Sequence, residues 1–584
     1  MAQVIAARSM ESLAGMDAKL EALAKLEALT EEVDAALARQ KSNGQLRRAI
    51  KAWRRGDIVR AGQLALEAAD ADDSNAKAFH VLAMALERMG HLHKALVTYE
   101  RAFTLDPEDP ELLVNLGLTA WNLKMGESAV KMFRLYIAAR PDSPLGYNNL
   151  GSIEGEMGDP TTAIETLRNA IYRMPNEAIL WNSLATVLAE DGRAEESVVF
   201  YREAIRLDPT FGRLYHNLGY AYSHLGMLPE ALEAYDKAFE VMVDPAERIE
   251  AHHSRSVCLI GMGRFDEGFA EYEIRNNERF RAYVHYMLKA PPWQGEPLEG
   301  KRILVVGEQG LGDEIMFANT LPDLQRAVGP RGKLQIAVDS RLVTLFQRSF
   351  PDAEIGCCED RTLLDKDGNN SLRFIPFAVD KGEPDFYAPM ATPLRVLRQR
   401  LEDFPRQAFL KPDPERVAKF RELLRAGGLG PTVGICWRSM MLDVKRAKYY
   451  SALDMWGPIL KTPGVRFVNL QYGVCEDELA RARELHGVEV QVIDGLDLTN
   501  DIDGGAALSA ALDLVISAPT AAAACAASVG TEVWFLTAGR TWPQLGTDEY
   551  PWYRKSHVFS PEKFGDWSEL MPRIGERLAA FATR

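Results

Sequence analysis

The sequence predicts an all-α superhelix of stacked helix pairs, followed by an α/β region built from two parallel-sheet halves. Three observations carry this reading. A 34-residue frame repeats through the first half, short apolar strands alternate with helices after residue 300, and the Pro/Gly-rich stretch APPWQGEPLEG (290–300) separates the two regimes. A length of 584 residues calls for about three or four domain-sized units. With 47% apolar and 26% charged residues, the chain can bury cores of ordinary size and should be folded.

The frame is marked by Gly56, Gly90, Gly158, Gly192 and Gly226, with Lys124 in the slot between the second and third. Ala61, Ala95, Ala129, Ala163, Ser197 and Ala231 recur at the same spacing, as do Pro107, Pro141, Pro175 and Pro209. Phe79, Leu113, Tyr147, Trp181 and Tyr215 fill one large apolar slot. Small residues let paired helices approach closely, and the terminal proline stops the second helix of each unit. Seven units cover residues 42–282, the last offset by three residues, and Leu20, Leu23, Leu26 and Leu29 predict one or two more helices within residues 1–41. Stacked units bury a continuous core and leave a concave face for a partner.

Asn115, Asn149 and Asn217 share one slot, with Asn182 beside Ser183 in the intervening unit. An amide donates and accepts together, which suits recognition of an extended peptide; it equally suits neighbouring helix carbonyls. His80 and His216 could line the same groove.

Residues 283–300 read as a linker, and 301–584 as two halves at about 301–400 and 431–565 with a C-terminal helix to 584. KRILVV (301–306) is a strand, GEQGLG (307–312) a glycine loop, DEIMFANTLPDLQRAVG (313–329) a helix, and KLQIAV (333–338) a strand followed by a helix to Phe350. A Pro-rich stretch from Gly382 to Pro431 interrupts the alternation. Strands resume at TVGICW (432–437), VRFVNL (465–470), VEVQVI (488–493), DLVIS (513–517) and TEVWFL (531–536). Two such Rossmann-like halves would enclose a cleft at the carboxyl ends of their strands. The glycine loop lacks dinucleotide-fingerprint spacing, although Asp339 stands where an acidic ribose ligand would, which keeps a nicotinamide-dependent oxidoreductase open.

GEQGLGDEIMF (307–317), VGICWRS (433–439), VNLQYG (468–473) and DLVISAPTAAAACAASVGTEVWFL (513–536) resemble, in this order, the GT-B glycosyltransferases, above all heptosyltransferase-like domains. The first half resembles the tetratricopeptide repeats. Together the chain resembles bacterial flagellin glycosyltransferases that attach nonulosonic acids such as pseudaminic or legionaminic acid. The resemblance implies a cytoplasmic, metal-independent, inverting protein O-glycosyltransferase. Its substrates would be flagellin or another protein held by the repeats and a CMP-linked nucleotide sugar, with no further cofactor. The alternative is a non-catalytic repeat adaptor with a degenerate GT-B domain.

The resemblance places the catalytic base at Asp313, with Glu308 as the alternate. Gly310 and Gly312 would admit the donor close to the backbone. Arg438 and Lys445 would hold its phosphate, Gln471 and Tyr472 its base or ribose. Ser517, Thr520 and Ala521 open a second helix whose free amides suit an anion. Here the sequence departs from the family, with Pro519 and Ala524 where Asp and His are usual. WPQLGTDEYPWYRKS (542–556) could form a sugar-binding wall or a seam that returns the C-terminal helix to the first half.

A net charge of -15 disfavours a nucleic-acid partner. Six cysteines without Cys-x-x-Cys or Cys/His clustering predict reduced thiols and no metal site. The uncharged run 514–531 contains Pro519 and is largely Ala and Ser, so no membrane span is expected.

Overall fold

The computed structural model describes residues 2–365, 368–440 and 444–583, and the side chains of these except 2–24, 26, 362–365, 368–370, 379, 444 and 445. The chain divides into two compact units, with a boundary in the repeat array between Met157 and Gly158.

In the first unit one helix runs unbroken from Ala2 to Arg54. Ile58–Ala71, Ala76–Arg88, Leu92–Leu105, Pro110–Asn122, Gly126–Ala139 and Pro144–Glu156 follow. Asp57, Asn75 and Asp109 cap their helices by accepting from backbone amides, which satisfies donors the helix itself cannot. Gly56 and Gly90 take the left-handed conformation that ends a helix, and Lys124 adopts it in the same slot at φ 63°. Gly117 lies against the Phe133 ring, where a Cβ would come within 2.7 Å.

The second unit continues the pattern from Pro160–Arg173 to Phe265–Tyr272. All six residues of the small slot, from Ala61 to Ala231, are fully buried. The aromatic slot has a polar function too. Tyr147 and Tyr215 hydroxyls donate to the Pro141 and Pro209 carbonyls at 3.2 Å, and the Trp181 indole to Pro175 at 2.8 Å. The proline that stops one helix thus supplies a carbonyl that anchors the next.

The α/β part carries β1 (Val284–Tyr286), β2 (Arg302–Val306), β3 (Lys333–Val338), β4 (Glu354–Cys357), β5 (Glu359–Asp365), β6 (Gly368–Phe374) and β7 (Phe386–Pro389). β8 (Thr432–Cys436), β9 (Arg466–Asn469), β10 (Leu514–Ser517), β11 (Val533–Leu536) and β12 (Ser556–Phe559) follow. Two sheets are parallel throughout, with orders β4-β3-β2-β7 and β12-β11-β10-β8-β9; a third has the order β1-β6-β5.

Four expectations change. The helix at 313–329 is three pieces, Leu311–Phe317, a 3-10 turn Ala318–Thr320, and Leu321–Val328, because Pro322 has no N–H and can only open a helix. VEVQVI makes a single bridge, Gln491 to Val468, and Val492 is exposed, so alternation there reflects an edge segment. The stretch 283–300 is packed structure: Val284–Tyr286 is a strand and Trp293 is buried, donating its backbone N–H to Tyr387 at 2.7 Å. The C-terminal helix Trp567–Ala582 stays with the second half, where Leu570, Ile574 and Leu578 join Val433, Ile435 and Trp456 in one core.

The last repeat shares a core with the α/β part. Ile260, Phe265, Phe269 and Tyr272 belong to the same apolar cluster as Trp293, Ile303 and Ile315. Trp293→Ala should therefore cost about 3–5 kcal/mol, the range for removing a large buried aromatic, read as a drop in the urea midpoint. A loss below about 1 kcal/mol would mean that the segment is a dispensable tether.

Candidate functional site

Two strand-to-helix turns meet at the carboxyl ends of β2 and β10. After β2, the glycine loop leads into helix Leu311–Phe317; after β10, Thr520 caps helix Ala521–Ser528. A Cβ on Gly312 would lie 3.5 Å from the Ala521 backbone, so the two helix starts abut. Around them is a cavity of about 660 Å³, lined from the first half by Gln309 to Glu314, Asp339 to Arg341, Asp360 and Arg373. The second half contributes Arg446, Tyr472, Pro519 to Ala522, Tyr550 and Tyr553.

The two helix starts differ in charge. The first carries Asp313 and Glu314 in its opening turn, whereas the second carries no acidic residue there. The amides of Ala521 and Ala522 lie in the first turn, where a helix supplies no internal acceptor, so this end suits an anion. Thr520 accepts from Ala523 N–H at 3.4 Å and fixes that start.

Asp313 lines the cavity and accepts from the Gly310 N–H at 3.2 Å, while its own N–H donates to the Gly310 carbonyl at 2.9 Å. Burial raises its carboxyl to about 6, with the nearby Glu308 charge adding to the shift and the Gly310 N–H opposing it. Glu314 is more deeply buried, and burial raises it to about 7 against the opposing Asp339 N–H and Arg373. The Glu314 carboxyl sits over Gly307, where a Cβ would come within 2.4 Å of it.

Of the other expected residues, Gly310, Gly312, Thr520, Ala521 and Tyr472 line this cavity. Glu308, Arg438, Gln471 and Ser517 do not. Glu308 is buried in a bidentate pair with Arg275 at 2.9 and 3.0 Å, so it has no oxygen to offer as a base. Arg438 forks onto Glu478 and donates to the Val474 carbonyl, away from the cleft. Gln471 staples a turn: its oxygen accepts from the Trp437 and Arg438 amides at 3.1 and 3.0 Å, and its nitrogen donates to the Arg438 and Tyr472 carbonyls. The Ser517 hydroxyl is buried against the Ala518 carbonyl at 2.7 Å. The Lys445 side chain lies outside the described residues. Asp339 is bound on both oxygens by Arg341, which takes away the ribose ligand of the nicotinamide reading.

In the repeats, Asn115 meets His80 at 2.9 Å and Asn217 donates to Asn182 at 2.9 Å, each link spanning 35 residues and hence neighbouring units. Asn149 donates to the Leu145 carbonyl of its own helix at 2.9 Å. His216 is pushed down to about 4 by burial and meets Ser254, a packed neutral ring. Repeat-to-repeat bonding thus engages at least part of the asparagine ladder.

Sequence reasoning missed Arg373, Asp360, Arg341 and the aromatic wall's division of labour. Arg373 is buried, donates to the Gly307 carbonyl and forks onto Asp360 at 2.7 and 2.6 Å. It stands on β6, a strand too polar to be seen. In the 542–556 segment Trp552 packs against Phe404, Trp542 and Phe317, while Tyr550 and Tyr553 reach the cavity. Among the described residues no group of three or more His, Cys, Asp or Glu is placed to hold a metal, and no helix is long and apolar enough to cross a membrane.

Glu314 makes stability pH-dependent with a definite sign. Because the folded state raises its carboxyl from 4.5 to about 7, its contribution is full below about 4.5 and is lost as pH rises through 7. Glu314→Gln keeps an acceptor for Asp339 N–H and removes this titration. Urea denaturation should find the variant close to wild type at pH 4.5 and more stable by about 1–3 kcal/mol at pH 8. An equal offset at both pH values would contradict the assignment.

Residues 76–119, 148–210 and 200–233 match the tetratricopeptide repeat family. Among solved structures, the chain is similar to a tetratricopeptide repeat protein of Parabacteroides merdae, with 16% identity over 40% of this chain and 91% of that one and a TM-score of 0.36. It is also similar to a thermophilic repeat protein of Thermus thermophilus, with 25% identity, 31% and 98% coverage and a TM-score of 0.27. Protein FlbA of Caulobacter vibrioides is 39% identical over 538 residues, 92% of this chain and 90% of the relative, and the chain belongs to the family of that protein.

Proposed function

We propose that the chain is a cytoplasmic protein O-glycosyltransferase of GT-B architecture. Its repeats recruit flagellin, and its α/β part transfers a nonulosonic acid from a CMP donor to Ser or Thr. The carrying observation is Asp313, a carboxyl raised to about 6 in a cavity at the strand ends of two parallel sheets. Such a group is ionised at neutral pH yet basic enough to take a proton from an acceptor hydroxyl as the hydroxyl oxygen attacks the anomeric carbon. The cytidylate phosphate leaves on the opposite side, toward the Ala521 and Ala522 amides, which inverts the sugar centre. No step in this scheme asks for a metal.

Two observations favour the adaptor reading. Pro519 and Ala524 stand where the resembled enzymes have Asp and His, and Arg438 is held by Glu478.

Incubation of the full chain with flagellin and a CMP-nonulosonic acid should add one or more sugar masses to intact flagellin. Asp313→Asn should lower the rate by about 10²–10⁴-fold, and the wild-type rate should rise with pH through about 6. Absence of transfer, with Asp313→Asn leaving cellular glycosylation intact, would favour the adaptor.

A further inference from the structure

The final turn of the repeat array is built into the glycine loop. Arg275, in the 3-10 turn Glu273–Asn276, places its guanidinium under Glu308, with the side chains of the pair 3% and 7% exposed. Every edge of that guanidinium is used: two bonds to Glu308, one to Thr392 at 3.2 Å, one to the Tyr272 carbonyl at 3.1 Å and one to Glu273 at 2.8 Å. Glu308 also accepts from the Ala391 N–H at 2.7 Å, and Thr392 donates to Glu273 at 3.1 Å, which closes the ring of partners.

One residue further on, Gln309 holds a left-handed backbone at φ 64°, a conformation that costs a non-glycine residue about 1 kcal/mol or more and needs outside support. That support comes from the repeat too. Its side-chain nitrogen donates to the Tyr272 hydroxyl at 2.7 Å, and the Tyr272 ring stacks under Arg275 at 4.7 Å. The next residue, Gly310, exchanges hydrogen bonds with Asp313.

We propose that Arg275 and Tyr272 are positioning residues for the site. They hold Glu308 and Gln309 so that the loop presents Asp313 to the cavity, and the last repeat is thus a structural part of the transferase centre. The proposal rests on Asp313 as the base. Neither residue touches substrate; a buried Glu308 without its cation would pull the loop toward water, and a Gln309 without its acceptor would relax its backbone.

The test uses the full chain with Arg275→Gln and the milder Tyr272→Phe, read by hydrogen–deuterium exchange of residues 307–317 and by transfer kinetics. Exchange in that segment should rise at least threefold in both variants, with far smaller change in helix Trp567–Ala582. The transfer kcat should fall by at least tenfold for Arg275→Gln and about threefold for Tyr272→Phe, with the donor KM within about twofold. Unchanged exchange overturns the proposal, as does a loosened loop with kcat within twofold of wild type. Wild-type protein without any transfer would sink the enzyme reading itself, and the exchange arm would still decide whether the last repeat holds the loop. If Arg275→Gln fails to fold, Tyr272→Phe, which removes one hydroxyl, decides both arms.

Discussion

A buried charge must be paired, and the Arg275–Glu308 ion pair is where that requirement organises the molecule. Removing water from both groups costs several kcal/mol each, and only a full set of hydrogen bonds offsets it. The set is met by three segments distant in sequence: the end of the repeats, the glycine loop and the turn at Ala391–Thr392. One residue earlier in the loop, the Gly307 carbonyl accepts from Arg373. The loop is therefore held at consecutive residues by two buried arginines and a tyrosine, and its shape is fixed before any ligand arrives.

That fixed loop gives the cavity its polarity. One helix start presents carboxyls raised by burial, and the abutting start presents first-turn amides beside a threonine cap. A carboxyl raised by burial and a set of first-turn amides thus lie at two abutting helix starts, groups that the proposed displacement of a nucleotide phosphate by a hydroxyl would use. Away from the cavity, the second half satisfies its own turn: Gln471 accepts from the Trp437 and Arg438 amides and donates to the Arg438 and Tyr472 carbonyls, and Glu478 pairs with Arg438.

The legibility of the fold followed the range of the interactions. The repeat frame could be read because its rules are local: a small residue at one slot, a left-handed glycine at another, a proline carbonyl six residues before an aromatic. Lys124 shows how strong the frame is, since it takes the glycine conformation without being glycine. The apolar strands were legible for the same reason, and VEVQVI was not, because alternation does not report whether a partner strand is present. That Asp313, Gly312 and Thr520 share one cavity follows from their place in strand-to-helix turns, which local sequence shows. Glu308, Arg438 and Gln471 were misread because their partners lie 33 to 40 residues away, and the sequence shows a charge or an amide without showing what satisfies it. Arg373 was invisible because β6, GNNSLRF, is long enough for a strand but has no apolar pattern.

The proposed transfer requires a nucleotide in the cavity between the two parallel sheets. A crystal structure of the full chain soaked with CMP decides whether it is there. The nucleotide phosphate should lie against the Ala521 and Ala522 amides, in the cavity that Asp313 lines. Density for CMP elsewhere on the chain, or none at a concentration that saturates binding in solution, would contradict it.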